Sequence, residues 1–403
     1  MNRTPGTSPF RYPNDWNEAS LAEVATIVTG RTPVTSDPGN FGRDVLFVTP
    51  GDIGKTKYLL NSERRLSFRG AAQSRTIPTN SVLFVCIGST IGKLGLSTRT
   101  VSFNQQINGL VCKPGFSPEY LYYALSLVAP AVKQKASEQA VPLLNKRDFS
   151  KIKLYFPSFD EQCAISQCLS DVDTLIDALD KLIAKKRNIK HGAMQVLLTR
   201  KTRLPGFNGE WTTKRLGDVA AMSSGGTPPS KVKEYYGGNI KWASIADMTG
   251  SGKYLSRTEV NLSNAGLNNS AAVLYKAPII LYAMYASLGE VSICQEEVSS
   301  SQAILGIAPN EQIDLEFLYY LLVAYKPTVK SLGQQGTQSN LNKGMVQRFE
   351  FSVPSNKNEQ RAIASVLADM DAEIDALVAQ KEKTALIKTG MMQELLTGRT
   401  RLL

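Results

Sequence analysis

The chain has 403 residues, 42% hydrophobic and 20% charged, enough for two domains of ordinary size and unlike a disordered, collagenous or membrane-bundle composition. Apolar runs such as Ala277–Ala286 reach only half a bilayer span, and the N-terminus has no apolar h-region, so neither a membrane helix nor a secretory signal is expected. The net charge of +11 is unevenly placed: residues 1–157 hold 19 Lys and Arg against 10 Asp and Glu, whereas residues 205–354 hold 12 of each, so a polyanion partner is expected mainly of the first segment.

In chain order, the first segment is rich in short β-branched and aromatic runs broken by Gly, Pro and Asn. Asp44–Val48 and Ser81–Val85 read as buried strands, and Pro118–Leu127 has the apolar spacing of a helix. A long helix follows. Its apolar or long-stemmed positions run 165, 169, 172, 176, 179, 183, 186, 190, 193 and 197, the 3.5-residue period of a coiled-coil seam. Ser158-x-x-Glu161 gives it a capping-box start, and some 38 residues would span about 57 Å. A basic Gly/Pro-containing link, Arg200–Gly209, then leads into a second strand-rich segment with a buried run at Pro278–Tyr282 and a helix at Leu315–Ala324. A second long helix begins at Asn356-x-x-Glu359 and carries its seam on Ile363, Leu367, Met370, Ile374, Leu377, Lys381, Thr384, Lys388, Met391 and Leu395.

The second half repeats the first. Trp16-x4-Leu21-x2-Val24-Ala25 returns as Trp211-x4-Leu216-x2-Val219-Ala220, and Gly30-x-Thr32-Pro33 as Gly225-x-Thr227-Pro228, both at an offset of 195. Phe47 and Asp52 match Trp242 and Asp247, and Glu119–Tyr123 matches Glu316–Tyr320. The helices agree best, at an offset of 198: Glu161-Gln162 with Glu359-Gln360, Ile176-Asp-Ala-Leu179 with Ile374-Asp-Ala-Leu377, and Leu197-Leu-Thr199 with Leu395-Leu-Thr397. Each helix is acidic in its first half and basic in its second. Antiparallel packing sets acid against base, and parallel packing sets like against like, so an antiparallel pair is expected.

Catalytic signatures are missing. Five cysteines (Cys86, Cys112, Cys163, Cys168, Cys294) form no C-x-x-C pair and read as reduced thiols of a cytoplasmic protein, while His191 is the lone histidine, set on a polar helix face. No phosphate-binding loop occurs: Gly88–Lys93 has the wrong spacing and reads as a turn. Thr227-Pro228-Pro229-Ser230 lacks the catalytic residue and aromatic of an amino-methyltransferase motif, and Asp52 with Lys55 makes a poor nuclease site. The chain reads as a binding protein without an active or metal site of its own.

The doubled unit, a diverged globular part followed by a long helix ending in Leu-Leu-Thr-x-x-x-Arg-Leu, resembles the specificity subunits of type I restriction-modification systems over essentially the whole chain. The resemblance implies a mixed α/β (α+β) fold. Two target recognition domains (1–157 and 205–354) alternate with two helices (158–204 and 355–403) that pair as an antiparallel coiled coil, giving an internal pseudo-two-fold repeat. It also implies that each globular domain reads one half of a split site in double-stranded DNA. Two methyltransferase subunits carrying S-adenosylmethionine would dock on the helices, and restriction subunits would bring ATP and Mg; this chain would bind no cofactor and have no catalytic residues. Because the globular copies have diverged, the two half-sites should differ.

Phosphate contacts are expected from basic loop residues: Arg31, Lys55, Lys57, Arg64, Arg65, Arg69, Arg75 and Lys93 in the first domain, Lys231, Lys233, Lys241, Lys253 and Arg257 in the second. Asn104, Gln105 and Gln302 are the candidates for reading base edges. On the first long helix, Leu175, Leu182, Ile189 and Val196, spaced by seven, form a second apolar stripe for a partner helix. A stand-alone two-domain DNA-binding protein is the alternative reading.

Overall fold

The computed structural model describes residues 11–54, 56–136, 142–335 and 340–402. The chain divides into two compact units, Met1–Asp180 with Ala379–Leu403 and Lys181–Val378. Each therefore takes the start of one long helix and the end of the other.

In the first unit a five-stranded sheet runs in the order Ala25–Thr29, Ile107–Cys112, Val82–Val85, Leu94–Ser97, Tyr58–Leu59. A four-stranded sheet orders Arg64–Leu66, Phe41–Val48, Val101–Phe103, Thr76–Ile77. The strand Val82–Val85 is wholly apolar because both its faces are covered. Val82 and Phe84 join a cluster with Tyr120, Leu121 and Leu125 of helix α1 (Pro118–Ala136), while Leu83 and Val85 face Leu46, Val48, Val101 and Phe103 of the second sheet. The second unit repeats this with four strands (Ala220–Ser224, Ile304–Pro309, Ile279–Ala283, Val291–Cys294) beside three (Val260–Leu262, Tyr236–Ala243, Ser299–Ser300). Both α1 and its counterpart run longer than the sequence pattern indicates. They pass Pro130 and Pro327 because the turns beyond still bury Ala136 and Val329.

The long helices are α2 (Phe159–Leu197) and, after the α1 counterpart α3 (Leu315–Gln335), α4 (Lys357–Leu395), each of the long pair having 39 residues. Every seam position named from the sequence is buried or half-buried, with Ile165, Leu169, Ile183, Ile363 and Leu367 almost wholly enclosed. The helices α2 and α4 pack antiparallel. In the first unit Asp173 pairs with Lys388 (2.5 Å) and Asp180 with Lys381 (2.6 Å); in the second Lys186 pairs with Glu373 (2.5 Å) and Lys190 with Asp371. Each joins an acidic half to a basic half, as the charge segregation predicts. Exposed pairs contribute only about 0.2–1 kcal/mol each, but a parallel pairing would lose them and set acidic half against acidic half and basic against basic.

The capping boxes form only in part. Ser158 Oγ accepts from the Glu161 amide at 3.3 Å, but the Glu161 carboxylate turns away to Arg401 near the end of the other helix (2.7 and 2.8 Å). In the other copy Glu359 accepts from Arg203 (2.9 and 2.6 Å) and from Trp211 Nε1 (3.2 Å). A buried carboxylate with a bidentate guanidinium outcompetes a local cap. The adjacent Gln162 and Gln360 bolt the helix starts to the globular parts: the amide oxygen of each accepts from the backbone at the head of α1 or α3 (Ser117 N, Asp314 N), and the NH2 group donates to Pro157 O or Pro354 O.

Candidate nucleic-acid interface

In the first unit Phe41–Val48 and Val101–Phe103 pair in parallel, so both chains leave the sheet on the same side. Three segments meet there. Gly30-x-Thr32-Pro33 lies against Phe103 and Asn104 through Arg31 N to Phe103 O (2.9 Å); a Cβ on Gly30 would stand 2.1 Å from Asn104 O, which only glycine avoids. The turn after Val48 is closed by Asp52, whose carboxylate accepts from Thr49 N and Oγ1 (both 2.8 Å) and from Glu63 N (2.8 Å). Asp52 is thus spent on backbone geometry. Between these segments opens a cleft of about 420 Å³ lined by Thr49, Pro50, Gly51, Glu63, Arg64, Asn104 and Gln106, and Arg64 also borders a groove with Thr35, Phe41 and Arg65. Such exits of parallel strands are places where loops can present polar groups to a ligand.

The second unit builds the same place. Tyr236–Ala243 and Ser299–Ser300 are parallel, Gly225 would clash with Ser300 O at 2.2 Å if it carried a Cβ, and Asp247 closes the following turn on Ser244 N (2.9 Å), Ser244 Oγ (2.7 Å) and Glu259 N (2.9 Å). One side-chain bond recurs at the rim. Thr32 Oγ1 donates to Gln105 Oε1 (2.7 Å), and Thr227 Oγ1 donates to Gln302 Oε1. Both glutamines are exposed, and with the carbonyl oxygen taken by the threonine the NH2 group of each is left as a donor.

The other candidates fall into three groups. Arg64 and Asn104 line the first cleft, Arg65 borders the adjoining groove, Arg31 is tied by its backbone to Phe103 and Gln105 follows Asn104 in the chain; Asn104 spends its amide on Gln106 (Nδ2 to Oε1, 2.9 Å; Oδ1 from Gln106 N, 3.1 Å). Arg75 follows Ser74, whose hydroxyl bonds Arg31 O; Arg69 pairs with Asp37 (2.8 Å); Lys93, Lys231, Lys233 and Arg257 are exposed. Lys241 is held by Glu296 (2.9 Å) and Ser256 O (2.7 Å). Two lysines contradict their assignment: Lys57 and Lys253 point inward, with side chains 6% and 12% exposed, and pair with Glu119 and Glu316. Lys55 lies outside the described residues.

On α2, Leu175, Leu182 and Ile189 are exposed, at 46%, 38% and 47%. Val196 departs from that stripe. It is half-buried against the core of the second unit, because the chain turns back beneath it with Thr202 N bonded to Val196 O (3.1 Å). The Gly88–Lys93 segment is a turn, with Gly88 and Gly92 at positive φ. Burial pushes the Cys86 and Cys112 thiols up to about 12, far from the reactive thiolate range.

The sequence matches the type I restriction modification DNA specificity domain twice, over residues 13–188 and 208–386. The chain belongs to this family. The type I restriction enzyme MjaVIII specificity subunit of Methanocaldococcus jannaschii is 24% identical, with 97% of this chain and 94% of that one covered. The HindI specificity subunit of Haemophilus influenzae is 32% identical over a shorter stretch, 36% of this chain and 33% of that one. Among solved structures, the type I restriction-modification S subunit of M. genitalium superposes with a TM-score of 0.61 at 14% identity, covering 97% of this chain and 98% of that one. A chain from a structural study of complex assembly and conformational transition of the type I R-M system gives 0.62 at 16% identity, covering 97% and 100%. The doubled specificity domain accounts for the repeat read from the sequence. Among the described residues, no helix is long and apolar enough to cross a membrane.

Proposed function

We propose that the chain is the DNA-recognition subunit of a type I restriction-modification complex. Residues 1–157 and 205–354 each read one half of an asymmetric bipartite site, and the helices between and after them set the spacer. The observation that carries this is the loop arrangement built twice at the exit of a parallel strand pair, with an exposed glutamine held by the threonine of Gly-x-Thr-Pro in each copy. Around the first cleft, Arg31, Arg64 and Arg65 supply phosphate contacts, with Arg69, Arg75 and Lys93 further out; in the second domain the exposed Lys231, Lys233 and Arg257 do so. Gln105 and Gln302 read base edges, while Asn104 and Gln106, which line the first cleft, hold each other. The zero net charge of residues 205–354 leaves more of the second domain's affinity to a partner subunit.

The chain works without a cofactor or reacting residues of its own. S-adenosylmethionine belongs to two methyltransferase subunits that dock on Leu175, Leu182 and Ile189, and ATP and Mg to restriction subunits. A stand-alone DNA-binding protein is disfavoured because the relatives are named as subunits of restriction enzymes. Co-expression with a methyltransferase subunit, mass measurement of the purified complex and methylome sequencing test the reading. Two methyltransferase subunits per chain and a split, asymmetric methylated motif are expected. A chain that stays alone and leaves the methylome unchanged would overturn it.

A further inference from the structure

The two lysines that turn inward anchor a network built twice. In the first unit the Lys57 ammonium lies 4.9 Å from the Tyr58 ring centroid and 4.6 Å from that of Tyr123; it donates to Tyr123 Oη (3.0 Å) and bonds Glu119 and Ser170. Glu119 also accepts from Tyr58 Oη (2.7 Å) and Ser170 Oγ (2.8 Å). Tyr123 passes the chain on: its hydroxyl donates to Asp173 (2.6 Å), which pairs with Lys388. One path thus runs from the globular sheet through α1 to α2 and α4.

The second unit has the same path from its own residues. Lys253 lies over Tyr254 and Tyr320 (5.0 and 4.7 Å), donates to Tyr320 Oη (3.0 Å) and pairs with Glu316, which accepts from Tyr254 Oη (2.6 Å). Tyr320 Oη donates to Asp371 (2.7 Å), and Asp371 pairs with Lys190. Ser170 alone has no polar counterpart, its place being taken by Ala368. In both copies the tyrosine accepts from the lysine and donates to the aspartate. Burial and the neighbouring carboxylate raise its phenol well above the ordinary range, so it keeps the proton this direction needs.

Apolar contacts between a domain and a helix pair are non-directional and tolerate small rotations. A half-buried chain of charges and hydroxyls is satisfied in one register only, which is how such networks select a single arrangement. That selectivity has a use in a protein that reads a split site. Adding one base pair to the spacer shifts the far half-site by about 3.4 Å and rotates it by about 34°. The length of a helix pair specifies the spacer only if each domain is held at one angle upon it.

We infer that the Lys57–Tyr123–Asp173 and Lys253–Tyr320–Asp371 networks are the joints that fix each recognition domain on its helix pair, and that Tyr123 and Tyr320 are positioning residues for spacer specificity. The inference rests on the recognition-subunit reading above. It locates spacing in residues remote from the DNA clefts, and it gives Lys57 and Lys253 an internal role instead of a phosphate contact.

The test uses the full chain assembled with its methyltransferase subunits and duplexes that carry the methylated motif with its own spacer or one base pair more or less. Tyr123→Phe and Tyr320→Phe each remove one bridging hydroxyl and leave the ring. Each variant is expected to lower discrimination between the correct and altered spacers about tenfold, the worth of one charge-assisted hydrogen bond, with the bases read in each half unchanged. The double variant should lower it further; if it does not assemble, the singles decide. Uniformly reduced methylation with wild-type spacer discrimination would overturn the inference and reduce the networks to packing. A wild-type complex that methylates no bipartite motif would instead defeat the functional reading.

Discussion

Replacing Arg203 by Met tests the clamp that closes the second unit. The Glu359 side chain is 1% exposed and accepts two hydrogen bonds from the Arg203 guanidinium and one from Trp211 Nε1. Methionine keeps much of the apolar stem but leaves a buried carboxylate with the indole donor alone. Truncating one partner of such a pair costs about 3–5 kcal/mol, because the remaining charge stays desolvated. For a unit of this size each kcal/mol lowers the melting temperature by about 2–4 °C, so a drop on the order of 10 °C is expected. Calorimetry, with tryptophan fluorescence reporting on Trp211, measures it. Adding Glu359→Gln removes the stranded charge and should restore more than half of the loss. A single variant destabilised by less than about 1 kcal/mol, or a double variant no better than the single, would refute the account of the clamp.

Three further outcomes follow from the structure. Gln105→Ala should relax one base position in one half of the methylated motif, and Gln302→Ala one position in the other half; a change in both halves from either variant, read by methylome sequencing, would sink the assignment. Leu182→Asp places a charge on an exposed face and should abolish co-purification of a methyltransferase subunit while leaving the circular dichroism and melting of the chain unchanged. Burial raises the Glu119 pKa, but hydrogen bonds from Lys57, Tyr58 and Ser170 more than offset this and hold it below the usual glutamate range. Its stabilising contribution is therefore present above the unfolded value of about 4.3 and lost as pH falls through and below that value. The stability difference between wild type and Glu119→Gln should shrink across that acidic window, and a difference that does not vary there would contradict the pairing.

The helix pair was legible because it obeys local rules. A 3.5-residue period and halves of opposite charge are properties of consecutive residues, and they placed Ile165, Leu169, Ile363 and Leu367 in the seam and Asp173 opposite Lys388. The repeated Gly-x-Thr-Pro was equally visible, but its purpose was not, since Thr32 meets a glutamine 73 positions away. The capping boxes misled in half their meaning: Ser158 and Asn356 do cap, while the arginine partners of Glu161 and Glu359 lie just beyond the end of the other long helix. Lys57 and Lys253 were misread because composition cannot tell an ammonium facing water from one facing a glutamate 62 or 63 positions on. One signal was available: lysines, glutamates and tyrosines recur together in two copies although their net charges differ, a surplus of nine against zero. Val196 followed the heptad spacing of the stripe, which carries no information on where the chain folds back.

The interlaced division of the chain imposes a schedule on synthesis. The second unit is one continuous stretch, Lys181–Val378, and can close as soon as the ribosome has passed it. The first unit waits for residues from Ala379 onward, and its last clamp joins Arg401 to Asp15 across 386 positions. Until then the start of α2 holds Ile165 and Leu169 without the Leu395 and Leu396 that share their cluster. The half made first is thus the half finished last: the first unit stays incomplete until the residues after Val378 are made, and over that last stretch it is carried by a nascent chain whose second unit is already whole.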